Sequence, residues 1–229
     1  MPTFIDILSP ERFGTYRGWA SGDEVLAIRL YTYNVQLSTT LYGPLHMLEV
    51  ALRNVADRKL SEVHGPDWYD NAAALSQDAG IRQYQQGCVS GARETLRKAR
   101  KAGTHCEIIT ELNFGFWSSL FGKGTNALWS TLRPAFQARG VQRSDISGQL
   151  SDLRKLRNRI AHYEPILAIP LGQRYASITT LTGWLSPSAA AWISKSSNWG
   201  AVYPGVPILV PDAAGELRFA PAALPLLPA

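Results

Sequence analysis

The segment Leu153–Pro165, LRKLRNRIAHYEP, gathers the side chains best suited to chemistry: Arg154, Lys155, Arg157 and Arg159, with Asn158 and His162, just ahead of a proline. A guanidinium stays charged and grips phosphate oxygens in pairs, and imidazole is the side chain that exchanges protons near neutral pH. Together they suit acid–base chemistry on a phosphodiester. The same residues also suit a packing role, because cationic side chains near a helix carboxyl terminus stabilise the helix dipole. Spacing alone does not separate the two. An arginine followed a few residues later by a histidine recurs at Arg58–His64 and Arg100–His105.

The helix that must carry these groups opens at Ser144-Asp145. At about 100° per residue, Ile146, Leu150, Leu153, Leu156 and Ile160 form one apolar stripe, and Asn158 and His162, four apart, stack beside it within hydrogen-bonding reach. Arg157 flanks that pair. Pro165 disfavours helical geometry at Glu164, which places His162 in the last turn.

Elsewhere the pattern is also helical. Ser9-Pro10 reads as a cap followed by a first-turn proline, opening a short helix to about Ala20. From Asp23 to His64 the apolar residues Leu26, Leu30, Tyr33 and Leu37, then Leu45, Leu48, Leu52, Val55 and Ala56, recur at threes and fours. Gly43-Pro44 makes this either two helices or one kinked helix. A further helix is expected over residues 76–102, despite Gly80, Gly87 and Gly91. Thr104 reads as another cap, Phe114–Gly122 as an aromatic knot, and ALWSTLRPAF breaks at Pro134. QRYASITTLTGWL and SPSAAAWISK complete the helical set. No segment alternates with a period of two between turn signals, so the fold class is all-α. Pro204, Pro207, Pro211, Pro221, Pro225 and Pro228 argue against a long helix at the end of the chain and suggest an extended, partly mobile arm.

A chain of 229 residues with 45% hydrophobic content can bury a real core. Its 23 Lys+Arg against 18 Asp+Glu, a formal net charge of +5, favours an anionic partner. Two cysteines, Cys88 and Cys106, make neither a disulfide framework nor a metal knuckle, which fits a reducing cytoplasm. No apolar run approaches membrane-spanning length, and the amino terminus lacks the charged start and apolar stretch of a signal peptide. The acidic residues are scattered. Neither the His105-Cys106 neighbours nor His46 with Glu49 makes a convincing metal site.

The string RNRIAHYEPI resembles the hallmark of the Abi-like proteins, abortive-infection relatives within the HEPN superfamily of helical ribonucleases. LYTYNVQLSTTLYGPLHMLEVALRNVADRKL with GPDWYD is similar to that family's first long helical segment. LNFGFWSSLFG and ALWSTLRPAF resemble its middle, and TLTGWLSPSAAAWI its final helices. The resemblance runs over roughly residues 8–195 in the same order, outside the proline-rich end.

The resemblance implies a HEPN-like helical bundle over residues 1–195 with additional helices, then an extended proline-rich arm over 196–229. It implies a cytoplasmic homodimer that faces two motifs across a composite site, with Arg157 and His162 catalytic and Asn158 the polar residue beside them. Arg154, Arg159 and Tyr163 flank the motif and are expected substrate contacts, together with Glu49 and Arg53, whose spacing also suits a structural ion pair. Tyr163 directly follows His162, unlike the histidine-x-tyrosine variant of nucleotidyltransferase-paired toxins. Metal-independent endoribonuclease chemistry is expected, with no cofactor and no metal: the substrate's 2′-hydroxyl attacks, so RNA rather than DNA is the partner. An anti-phage or toxin role implies an antitoxin or activator. Two alternatives stay open. One is a non-catalytic dimer binding RNA, nucleotide or protein, and the other is a packed helix end in an assembly subunit.

Overall fold

A computed structural model describes residues 4–227, and helices account for most of them. In chain order they are α1 (Phe4–Ile7), α2 (Pro10–Trp19), α3 (Glu24–His64), α4 (Ala79–Lys98), α5 (His105–Glu111), α6 (Phe114–Ser119), α7 (Asn126–Leu132), α8 (Arg143–Ala161), α9 (Leu171–Leu185), α10 (Pro187–Ser196) and α11 (Trp199–Val202). Two short strands, β1 (Leu209–Pro211) and β2 (Leu217–Phe219), follow α11. The all-α expectation holds for the body of the chain and needs this one addition. No helix among the described residues is long and apolar enough to cross a membrane.

Local chemistry accounts for most helix starts. The Ser9 hydroxyl accepts from the Arg12 N–H, with Pro10 in the first turn where its missing N–H costs nothing. Asp78 caps α4 by accepting from the Ile81 N–H at 3.1 Å. That cap moves the expected start of the 76–102 helix to Ala79, and the helix ends at Lys98. Its glycines do not interrupt it. The Thr104 N–H donates to the Glu107 carboxylate at 2.9 Å, closing a capping box on α5. Between the two possibilities at Gly43-Pro44, α3 is assigned as one helix, with Pro44 inside it. Pro44 has no N–H to offer the Thr40 carbonyl, a local loss compensated by burial of Leu37, Leu41, Leu45 and Leu48 around it.

The chain forms two compact units. The first gathers the residues up to Pro44, Lys155–Ala176 and Lys195 onward. Its buried side chains include Phe13, Tyr16, Leu30, Tyr33, Leu37, Leu156, Ile166 and Leu171. The end of the chain packs here rather than extending as an arm. Ile208, Leu209, Ala220 and Ala223 are buried, and the Tyr33 hydroxyl donates to the Val202 carbonyl at 2.7 Å. Arg29 donates to the carbonyls of Leu224 and Leu227 at 3.3 and 3.1 Å. Trp199 lies sandwiched between Tyr175 and Tyr203, with centroids 4.5 and 4.3 Å away. β1 and β2 pair antiparallel in the register Leu209↔Phe219, Val210↔Arg218 and Pro211↔Leu217. Asp212 accepts from the N–H groups of Ala214 and Glu216, and Gly215 takes a positive φ in the turn. Prolines therefore limit strand and helix length here without preventing order. Pro228 lies outside the described residues.

The second unit comprises Leu45–Arg154 and Ser177–Ser194. Leu45, Leu48, Leu52, Val55 and Ala56 are all buried, as their stripe on α3 requires. Phe116 and Trp117 lie edge to face within the expected aromatic knot, Trp68 joins them from outside that segment, and the Trp117 indole N–H donates to the Leu112 carbonyl at 3.0 Å. Asp57 accepts from the Trp68 indole N–H at 2.8 Å and faces His105 Nε2 at 3.1 Å.

Candidate functional site

The apolar stripe of α8 is buried at Ile146, Leu150, Leu153 and Leu156, and Ile160 is half-buried. The helix ends one residue earlier than expected. Ala161 is its last helical residue, and His162 is the half-in residue that follows. The cause is the backbone at Tyr163, which adopts φ +58°. The Tyr163 N–H donates to the Ile160 carbonyl at 3.1 Å, and the Glu164 N–H reaches back to the Arg159 carbonyl at 2.8 Å. This is a Schellman turn, in which a left-handed residue lets two N–H groups satisfy the last helical carbonyls. Glycine usually holds that position. A tyrosine there carries the Cβ strain of the left-handed region, of order 1 kcal/mol.

Arg159 braces the turn from outside. Its Nε lies 3.2 Å from the Glu164 carboxylate, and a terminal nitrogen donates to the Pro165 carbonyl at 3.1 Å. A side chain expected to touch substrate is thus engaged with the turn itself. From the other side, buried Asn34 on α3 accepts the Ile166 N–H at 2.7 Å, fixing the chain just after the proline.

Held this way, the turn presents His162 and Asn158 to solvent, with Tyr163 78% exposed and Arg157 half-buried. The His162 N–H donates to the Asn158 carbonyl at 2.9 Å. The two side chains make no hydrogen bond to each other. An exposed imidazole can exchange a proton with a bound molecule, and a half-buried guanidinium nearby can hold an anion. The packing alternative needs His162 against its own bundle, where it is not.

The structure therefore brings Arg157, Asn158, Arg159, His162 and Tyr163 together at one helix end in the first unit. Arg154, Glu49 and Arg53 belong to the second. Arg53 donates from Nε to the Asn54 side-chain oxygen at 3.1 Å. The competing arginine–histidine spacing at Arg100–His105 has a structural explanation. His105 faces Asp57 and stacks on the Tyr69 ring at 5.9 Å. Among the described residues, no group of three or more His, Cys, Asp or Glu is arranged to hold a metal ion.

Asn34 is the positioning residue that the sequence pattern did not single out. The signal was present: Asn34 stands four residues after Leu30 and three before Leu37, on the apolar face of the helix, where a polar group must find a partner.

Comparison of the chain with family models, with curated proteins and with solved structures returns no match.

Proposed function

We propose that the chain is a metal-independent endoribonuclease with Arg157, Asn158 and His162 at its active site, acting in anti-phage abortive infection or as a toxin. The observation that carries this reading is the exposed His162–Asn158 pair, held by a braced and locally strained turn beside Arg157. Left-handed residues also close two other helix ends, at Ser21 and Arg100, so what sets this end apart is the imidazole, amide and guanidinium it presents.

The chemistry follows from the groups. The RNA 2′-hydroxyl loses a proton to an imidazole and attacks the adjacent phosphorus, forming the new O2′–P bond. The P–O5′ bond breaks, and the departing 5′ oxygen takes a proton from a second imidazole. The products are a 2′,3′-cyclic phosphate and a 5′-hydroxyl. Base and acid are both needed, and this motif supplies one imidazole per chain. A two-fold dimer would supply His162 twice, with Arg157 of each chain on the phosphate oxygens and Asn158 beside it on the scissile phosphate. A homodimer, and an antitoxin or activator controlling it, belong to the same proposal.

The test incubates purified wild type and His162→Ala with labelled single-stranded RNA in EDTA and identifies the product ends. Cleavage by wild type alone, leaving cyclic phosphate and 5′-hydroxyl ends, is the expected result. RNA that is bound but uncut by wild type would replace this reading with the non-catalytic binding dimer. His162→Ala should keep most RNA affinity, whereas Arg157→Ala should lower affinity and cleavage together.

A further inference from the structure

The second unit contains a hollow of about 290 Å³ between α4, α6 and α8, lined in part by Tyr84, Gly115, Ser119, Ser147, Ser151 and Arg154. Ser147, Ser151 and Arg154 stand four and three residues apart, so they form one stripe of α8. All three are half-buried. Among the described residues, none of their three side chains makes a hydrogen bond or an ion pair, and Arg154 lies within electrostatic reach of Tyr84.

This distinguishes the hollow from a larger one nearby in the same unit, of about 380 Å³, lined by Arg93, Arg97 and Lys101. There the arginines are already committed: Arg93 grips both Asp70 oxygens at 2.9 and 2.6 Å, and Arg97 pairs with Glu94 at 2.8 Å. Cations held by their own carboxylates have little left for a ligand. Arg154 has five donor positions and no carboxylate.

The remaining wall adds donors and a ring face. Tyr84 is 42% exposed, and burial of its phenol pushes its pKa up to about 12, so it keeps its proton. Its hydroxyl lies against Gly115, where a Cβ would come within 2.4 Å of the oxygen; only glycine leaves that space. Ser119 is already engaged with Gln85 and the Phe116 carbonyl, which leaves Ser147 and Ser151 as the uncommitted hydroxyls.

We propose that this hollow binds a phosphomonoester of mononucleotide size, with Arg154 gripping two phosphate oxygens and Ser147 and Ser151 donating to the others. A phosphate dianion has three terminal oxygens to share among the guanidinium and the two hydroxyls of this stripe, whereas a flat carboxylate would satisfy the guanidinium and leave the hydroxyls over. The volume, at the small end for ligand sites, admits a phosphate with one attached nucleoside. Tyr84, in the wall and 42% exposed, supplies an aromatic ring for that base to pack on. The site goes beyond the ribonuclease reading and does not depend on it.

Calorimetric titration of the full chain with AMP, adenosine and inorganic phosphate tests the proposal without reference to cleavage. AMP should bind at least about tenfold more tightly than adenosine, the scale of one charge-assisted hydrogen bond. Arg154→Met, which keeps the aliphatic stem, should lose about tenfold or more of that affinity, and Ser151→Ala a smaller part. Melting curves establish that both variants are folded. If Arg154→Met does not fold, Ser151→Ala and the AMP–adenosine difference decide. A second arm compares 2′-O-methyl RNA carrying a 5′-phosphate with the 5′-hydroxyl form. Arg154-dependent preference for the phosphorylated end alone identifies an RNA terminus as the phosphate source and supports the site. The proposal is overturned if no phosphate-bearing probe binds, if AMP and adenosine bind alike, or if Arg154→Met binds AMP as wild type does.

Discussion

Arg159 and Glu164 form an ion pair, Nε to carboxylate at 3.2 Å, across the turn that contains Tyr163. Both side chains are about half exposed, so the pair contributes at most about 1 kcal/mol. Its effect is geometric. It closes the turn over a residue whose φ of +58° is unfavourable for any side chain with a Cβ, and His162 precedes that residue.

Replacing Tyr163 with glycine should relieve this strain. Tyr163→Gly is expected to stabilise the fold by up to about 1 kcal/mol in a urea titration, whereas Tyr163→Ala keeps the Cβ and should not. If the ring contacts RNA, both variants lose affinity, so stability and binding move in opposite directions for glycine. Equal stability of the two variants would sink the strain argument.

Asn34 holds the chain beyond the turn. Asn34→Ala leaves the Ile166 N–H buried without its acceptor and should cost about 1–3 kcal/mol. Amide hydrogen exchange should then accelerate at Ile166 more than at the buried positions of α2. Unchanged protection at Ile166 would mean that the bond does not anchor the segment.

Asp57 in the second unit is a structural carboxylate. Trp68 is fully buried, so Asp57→Ala strands its indole N–H and should destabilise by about 2–3 kcal/mol. Asp57→Asn retains a carbonyl acceptor and should lose less. Tryptophan fluorescence during urea unfolding reads both, and similar losses would assign the effect to the His105 contact instead.

Alkaline stability should report on Tyr33. Burial pushes its pKa up to about 12, while the unfolded phenol titrates near the usual value of about 10. Above about pH 10 the unfolded chain therefore holds fewer protons than the folded one. The contribution is complete below that pH and is lost as pH rises towards about 12. Tyr33→Phe should be less stable at neutral pH, having lost the bond to Val202, and should show a shallower decline through this window. Urea midpoints measured across the window check both slopes.

Local rules made much of the helical framework legible. A serine before a proline, a threonine three residues before a glutamate, and leucines at threes and fours act within a turn or two, so Ser9, Thr104 and the α8 stripe could be read directly. The candidate site was legible for the same reason, since Arg157, Asn158 and His162 fall within six consecutive positions at one helix end. The β1–β2 hairpin was hidden because its strands are three residues long and bounded by prolines. Pro211 is tolerated at the very end of β1.

What the sequence determined by itself was most of the longer helices and the chemical groups clustered at the end of α8. What only the tertiary structure decided was how those groups are presented. The left-handed Tyr163 exposes His162, Arg159 turns to Glu164, and Asn34 reaches Ile166 from 132 residues away. The Asn34–Ile166 bond joins partners distant in the chain, and the turn's geometry settles the local ones. A short-range pattern identifies the residues that can bond, but packing selects the bond each one makes.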